Sequence, residues 1–199
     1  MDAVSLKYLA LLALLTPIAA QAPGAGVPLG PFAFEAERLG PGTVTLVPQG
    51  GGPGITYPTI QRAVNAAQGG DTVLLSDGRF YGPGNRDVVV EGKNLTIRSE
   101  NGPERCVIDC MQRGRAFLFE GPLVTSETLL YGVTVVRGDV IDRPDGDDWG
   151  GGAVTRSGSL PTLESCAFPS CSAEAGGGVY SADNIVSPLL TERVCSRRQ

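Results

Sequence analysis

A run of three glycines followed by two more residues, the last of them large and apolar, occurs twice in this chain. Gly150-Gly151-Gly152-Ala153-Val154 returns as Gly176-Gly177-Gly178-Val179-Tyr180, 26 residues later, and Pro161-Thr162-Leu163 returns as Pro188-Leu189-Leu190, 27 residues on. A period of about 20–50 residues is the mark of a stack of like units. One such unit cannot bury its own apolar side chains, so successive copies must cover one another. No helical pattern lies between the copies, which makes the repeating element extended chain. A β-solenoid is the simplest solution. Strands spaced about 4.8 Å apart then bond their neighbours and line the interior with apolar ladders. Glycine is expected to supply positive φ at the corners.

Short strand candidates follow one another from Thr43 onward. They are Val44–Val47, Thr72–Leu75, Asp87–Val90, Asn94–Ile97, Cys106–Ile108, Ala116–Phe119 and Leu130–Val136. Each is rich in β-branched or aromatic residues and is bounded by Gly, Pro, Asn or Asp. Phe117 and Phe119 share one face of their strand and are expected in the core. The 28 glycines and 15 prolines in 199 residues supply the frequent bends. Charged residues, at 19%, fall below the usual share of about 25%.

One helix is expected. Ile60, Ala63, Val64 and Ala67 fall at i, i+3, i+4 and i+7 and make one apolar stripe. Thr59 suits the N-cap, and Gly69-Gly70 should stop the helix. A short amphipathic helix would cover the open N-terminal end of a stack, which otherwise exposes core and strand edges.

The first 20 residues read as a secretory signal peptide, with Lys7 and the amino terminus ahead of the apolar run Leu9–Ala20. That run is short for a bilayer span, and Pro17 breaks it. Cleavage is expected after Ala20, the alternative being an uncleaved anchor. Residues 21–42 then form a Pro/Gly-rich linker and 43–199 the folded domain. No later apolar stretch approaches 18 residues, so no membrane span is expected in the mature chain. The reading is a secreted or cell-surface protein.

A net charge of −5 with no basic run argues against a nucleic-acid partner, whose phosphates demand clustered Lys and Arg. Histidine is absent, which removes the commonest general base and every Ser-His or Cys-His nucleophile pair. Five cysteines (Cys106, Cys110, Cys166, Cys171, Cys195) leave at least one unpaired within a monomer. An extended strand would hold Cys106 and Cys110 too far apart to bridge. Either a bend joins them or they are buried thiols packed as small apolar groups. Paired CxxC knuckles are lacking, so a zinc site is not expected.

The stretch from Tyr57 through Cys110 resembles the opening of bacterial right-handed parallel β-helix proteins of the pectin-lyase-like superfamily. Leu130-Tyr131-Gly132-Val133-Thr134-Val135 is similar to their L-x-G-[LV]-T-I rung. GGAV and GGGVY, with PTLESCAF between them, resemble the repeats of polymorphic outer membrane proteins. The likeness spans residues 43–195 and implies an all-β, right-handed parallel β-helix with a short N-terminal capping helix, from a bacterial source. One departure stands at Cys171, where the repeat would place asparagine; a thiol fills that slot.

The resemblance implies two chemistries: pectate cleavage by an Asp/Glu cluster holding Ca²⁺ with an arginine or lysine base, and polygalacturonate hydrolysis by clustered aspartates beside a histidine. The histidine is missing. One acidic cluster is present: Asp139, Asp142, Asp145, Asp147 and Asp148, with Arg137 and Arg143 nearby. The D-x-D spacing of Asp145 and Asp147, with Asp148 adjoining, offers the carboxylates that a Ca²⁺ site takes from a bendable loop. The plainer reading is a solvated acidic loop. Trp149 and Tyr180 suit stacking on sugar rings, or else packing. Asn94-Leu95-Thr96 fits the N-glycosylation pattern, which matters only in a eukaryotic secretory route.

After the last copy of the repeat the chain runs out at residues 194–199 without a polar cap. That predicts either an array cut short or an end that associates with another copy. The expected function is a non-catalytic exported β-helix, a surface or extracellular scaffold for adhesion or for contact with polysaccharide or cell-surface glycan. The alternative is a Ca²⁺-dependent polysaccharide lyase or glycoside hydrolase.

Overall fold

A computed structural model describes residues 39–142, 144, 146–182 and 189–191. The leader, most of the linker, Arg143, Asp145, Cys195 and the final residues fall outside them.

The regular elements among the described residues are strands, apart from one short helix. In chain order the elements are β1 (Val44–Val47), β2 (Ile55–Tyr57), α1 (Ile60–Ala66), β3 (Thr72–Leu75), β4 (Gly78–Tyr81) and β5 (Val88–Glu91). Then come β6 (Thr96–Ser99), β7 (Cys106–Asp109), β8 (Phe117–Glu120), β9 (Leu129–Tyr131) and β10 (Thr134–Val136). The last are β11 (Ala153–Arg156), β12 (Thr162–Glu164), β13 (Val179–Ser181) and β14 (Leu189–Thr191).

These strands make three sheets. The long sheet runs β2-β1-β3-β6-β9-β12-β14, a second runs β4-β7-β10, and a third runs β5-β8-β11-β13. From β3 to β12 the chain visits the long sheet, the second and the third in turn; β13 then joins the third and β14 the long sheet, and every pair among β3–β14 is parallel. Short connections between parallel neighbours are impossible within one sheet. Passing through two other sheets before returning solves the problem without long crossover helices.

The register stacks like on like. Val73, Ile97, Leu130 and Leu163 form one inward ladder. Phe80, Ile108 and Val135 form a second, and Val88, Phe117, Ala153 and Val179 a third. All but the half-buried Val179 are buried in one continuous core. Burying each such side chain contributes about 1.5–3 kcal/mol against leaving it exposed. Phe117 and Phe119 lie inside as expected, their rings stacked 5.8 Å apart.

The start of the chain departs from the expected parallel pattern. β1 pairs antiparallel with both β2 and β3, so the long sheet begins as a meander. β2 and β4 lacked a sequence signal strong enough to be expected. Residues at the end of the expected linker join the fold: Arg79 donates to Gly40 O at 2.8 Å, and Leu39 covers Val107 and Val136. The segment Leu130–Val136, read as one strand, is two. Gly132 takes φ 68° and turns the chain from the long sheet into the second.

The helix matches its pattern. Thr59 caps it, accepting a hydrogen bond from Arg62 N, and Ile60, Ala63, Val64 and Ala67 are all buried. It ends at Ala66, where Ala67 turns extended, before the two glycines are reached.

The triple glycines have two separate causes. Gly150 and Gly176, at φ 65° and 62°, take the left-handed conformation expected of corners. Gly151, Gly152 and Gly177 do not; a side chain there would strike the backbone of the neighbouring segment, at Ser172, Gly178 and Cys171 respectively. Backbone packs directly on backbone, with Gly152 N donating to Gly178 O at 2.9 Å.

Candidate functional site

The outer face of the third sheet carries the aromatic pair. In β11, Ala153 and Thr155 point inward, which turns Val154 and Arg156 outward. The parallel register sets Tyr180 of β13 beside Val154. The segment after β10 leaves the second sheet and returns across this face, where Trp149 bridges Ala175. Trp149 and Tyr180 thereby meet, their ring centroids 5.3 Å apart and tilted by 37°. Such pairs contribute about 0.5–1.5 kcal/mol beyond burial. Trp149 nonetheless stays 43% exposed, and Tyr180 is half-buried. Sequence reasoning named both residues; their meeting is the structure's contribution.

Ion pairs hold the returning segment down. Arg115, only 2% exposed, donates from Nη1 to the Asp147 carboxylate at 2.9 Å and from Nη2 to the Asp147 carbonyl at 2.6 Å. Arg156 Nη1 reaches the same carboxylate oxygen at 3.2 Å. Arg156 Nε stands 3.5 Å from Glu120, an ion-pair distance too long for a good hydrogen bond. A buried guanidinium is tolerated where a carboxylate and a carbonyl offset its desolvation, and Asp147 supplies both.

This bears on the Ca²⁺ expectation. Asp147 accepts two guanidinium groups, Asp139 accepts the Ile141 amide at 3.1 Å, and the Asp148 carbonyl accepts from Glu174 at 2.9 Å. Asp145 lies outside the described residues. Among the described residues, no three His, Cys, Asp or Glu side chains converge as metal ligands. A cation at Asp147 would have to displace two arginines.

A second charged cluster escaped the sequence reading. Asp109, 1% exposed, points out of β7 on the second sheet. It accepts from Arg79 and Arg137, each through Nε and Nη2, with the Nε contacts at 2.7 and 2.9 Å, and from the Met111 amide at 2.9 Å. Burial by itself would raise the carboxyl pKa. The Arg137, Met111 and Arg79 hydrogen bonds outweigh burial and hold Asp109 below the usual carboxylate value. The only trace in the sequence is an acid closing an otherwise apolar strand, Cys106-Val107-Ile108-Asp109.

The four described cysteines are free and buried or nearly so. Cys166 and Cys171 play one part at successive corners. Each follows a serine with φ near 50–60° (Ser165 at 51°, Ser170 at 58°) and donates its S–H to carbonyls two residues back and 36 residues back. The thiol at Cys171 thus ties its turn to Val135 of β10. Asn94 is committed as well: its Oδ1 accepts from Thr125 N and Thr128 Oγ1 at 2.8 Å, and its Nδ2 donates to Glu127 at 3.1 Å. The sequon amide therefore ties down a turn.

Among the described residues, no helix is long and apolar enough to cross a membrane. The chain matches no protein-family model, no curated protein and no solved structure.

Proposed function

We propose that the chain is an exported, right-handed parallel β-helix of bacterial origin, acting at the cell surface or outside the cell as a non-catalytic scaffold that contacts glycans. The β-helix reading is supported by the cyclic passage of β3–β12 through three sheets, the parallel pairing of those strands, and the in-register interior ladders. Parallel crossovers are right-handed in about 98% of cases, which supports the hand. The leader at residues 1–20 supports export.

One observation carries the glycan reading: the Trp149–Tyr180 pair, presented half open on the outer face of a rigid sheet and braced by Asp147. Flat aromatic faces suit the C–H side of a pyranose ring, and a rigid platform loses little entropy on binding. Asp109 and Asp147 each already hold two arginines. That favours a binding surface over general acid–base work, which needs a carboxyl able to exchange its proton.

A glycan array probed with the full chain, followed by quenching of the single tryptophan, tests the proposal. Binding should quench Trp149, and Trp149→Ala should weaken it at least tenfold while the far-ultraviolet circular dichroism stays unchanged. Cleavage of pectate or another acidic polysaccharide in the presence of Ca²⁺ would overturn the non-catalytic reading in favour of a lyase or hydrolase. Undiminished binding by Trp149→Ala would remove the aromatic pair from it.

A further inference from the structure

We propose that the outer face of the long sheet is a self-complementary docking surface for a second copy of this chain. The proposal does not rest on the glycan reading.

The register of β3, β6, β9 and β12 sets the outward side chains in two columns. Leu74, Arg98, Tyr131 and Glu164 stand in one, and Thr72, Thr96, Leu129 and Thr162 in the other. Their alternate partners fill the interior, so this face has no part in the core. Arg98 and Tyr131 are exposed, while Leu129 and Glu164 are half-buried. Adjacent strands lie about 4.8 Å apart, so Arg98 and Glu164 flank Tyr131 at roughly 5 Å on either side. Arg98 Nε bonds only to the carbonyl of its neighbour Ser99. Among the described residues, neither Arg98 nor Glu164 has an ion-pair partner. Elsewhere on this molecule the outward arginines of the other two sheets, Arg79, Arg137 and Arg156, are matched by carboxylates.

A two-fold axis along the strand direction, passing over Tyr131, answers both charges at once. It lays two such faces together with their stacking directions opposed. Arg98 then meets Glu164 of the second copy, and Glu164 meets the second copy's Arg98. Tyr131 and Leu129 meet their own equivalents at the centre. The result is an apolar middle flanked by two identical ion pairs, the pattern of an isologous interface. Face-to-face sheets stand about 10 Å apart, a gap that tyrosine fills and an Arg–Glu pair spans. The opposite arrangement, with stacking directions aligned, would set Arg98 on Arg98 and is rejected by charge. The two columns present eight side chains per copy, against the roughly 20–30 residues a side of a standard stable interface. Association is accordingly weak and concentration-dependent.

Sedimentation velocity on the full chain, up to about 1 mM, reads this directly. The wild type should pass from monomer to dimer with rising concentration, and less so at high salt, which screens the flanking pairs. Arg98→Glu and Glu164→Arg should each weaken association about tenfold or more, and the double exchange Arg98→Glu/Glu164→Arg should restore it. A wild type that stays monomeric throughout overturns the proposal. So does a dimer indifferent to salt, which needs no variant to be measured, or a double exchange that folds and fails to recover. Trp149→Ala should leave the dimer unchanged, which separates this surface from the glycan face.

Discussion

The side-chain amide of Gln61 makes both hydrogen bonds that a missing strand would make to Val89. Val89 N donates to Gln61 Oε1 at 2.7 Å, and Gln61 Nε2 donates to Val89 O at 3.1 Å. β5 is the first strand of the third sheet, so this edge would otherwise stand open to any passing strand. Helix α1 therefore covers core with one face and closes a sheet edge with a residue off that face. The neighbouring Ile60 amide adds a bond to Asn85 Oδ1 at 2.9 Å.

Replacing Gln61 with Leu keeps the volume and removes both bonds. Val89 would lose partners for its N–H and C=O, a cost of about 1–3 kcal/mol. The urea midpoint should fall accordingly, and light scattering should reveal edge-driven aggregation at concentrations the wild type tolerates. Unchanged midpoint and scattering would show that water serves the edge equally well.

Asp109 should govern stability in acid. Its folded pKa is depressed relative to the unfolded chain, so the folded state binds this proton less readily. The stabilisation is fully present above the unfolded value of about 3.9 and is lost as pH falls through the folded pKa. Asp109→Asn should cost about 3–5 kcal/mol at neutral pH, because Arg79 and Arg137 would be left beside a neutral group. Urea unfolding between neutrality and about pH 2 should show the difference between wild type and Asp109→Asn shrinking with acid. A constant difference would assign the loss to packing instead.

The buried thiols should behave in the opposite sense. Burial pushes Cys166 from 9.0 to about 11 and Cys171 from 9.0 to about 12. Their folded pKa values lie above the unfolded ones, so the stabilisation is complete below about 9 and declines as pH rises toward 11–12. Alkylation mapped by mass spectrometry at pH 8 should leave Cys106, Cys110, Cys166 and Cys171 unmodified in native protein and label all four in denaturant. Rapid native labelling of Cys166 or Cys171 would mean that these corners open readily.

Much of the fold could be read before any coordinates. The strands at Val44–Val47 and Thr72–Leu75 fall where β-branched residues and flanking turns put them, because those signals are local. The capping of α1 at Thr59 and its buried stripe are legible for the same reason. Gly132 was harder: a glycine inside an apolar run can mark a bulge, a bend or nothing, and only the competing sheets on either side decide it. Trp149 and Tyr180 were named singly, since 31 positions of sequence carry no signal that two rings will touch.

The amino-acid order alone determined that this chain would be strand-rich and would have no histidine to offer chemistry. Spacing along the chain is enough for those conclusions, because backbone propensity and periodic burial act over a few residues. Tertiary structure decided which charges meet. Arg79, Asp109 and Arg137 lie 30 and 28 residues apart and become neighbours through the register of β4, β7 and β10, while Arg115 meets Asp147 where the segment after β10 folds back. Register is set by the pairing of whole strands and the packing of their inward faces, so the outward side chains that each face presents together follow from it.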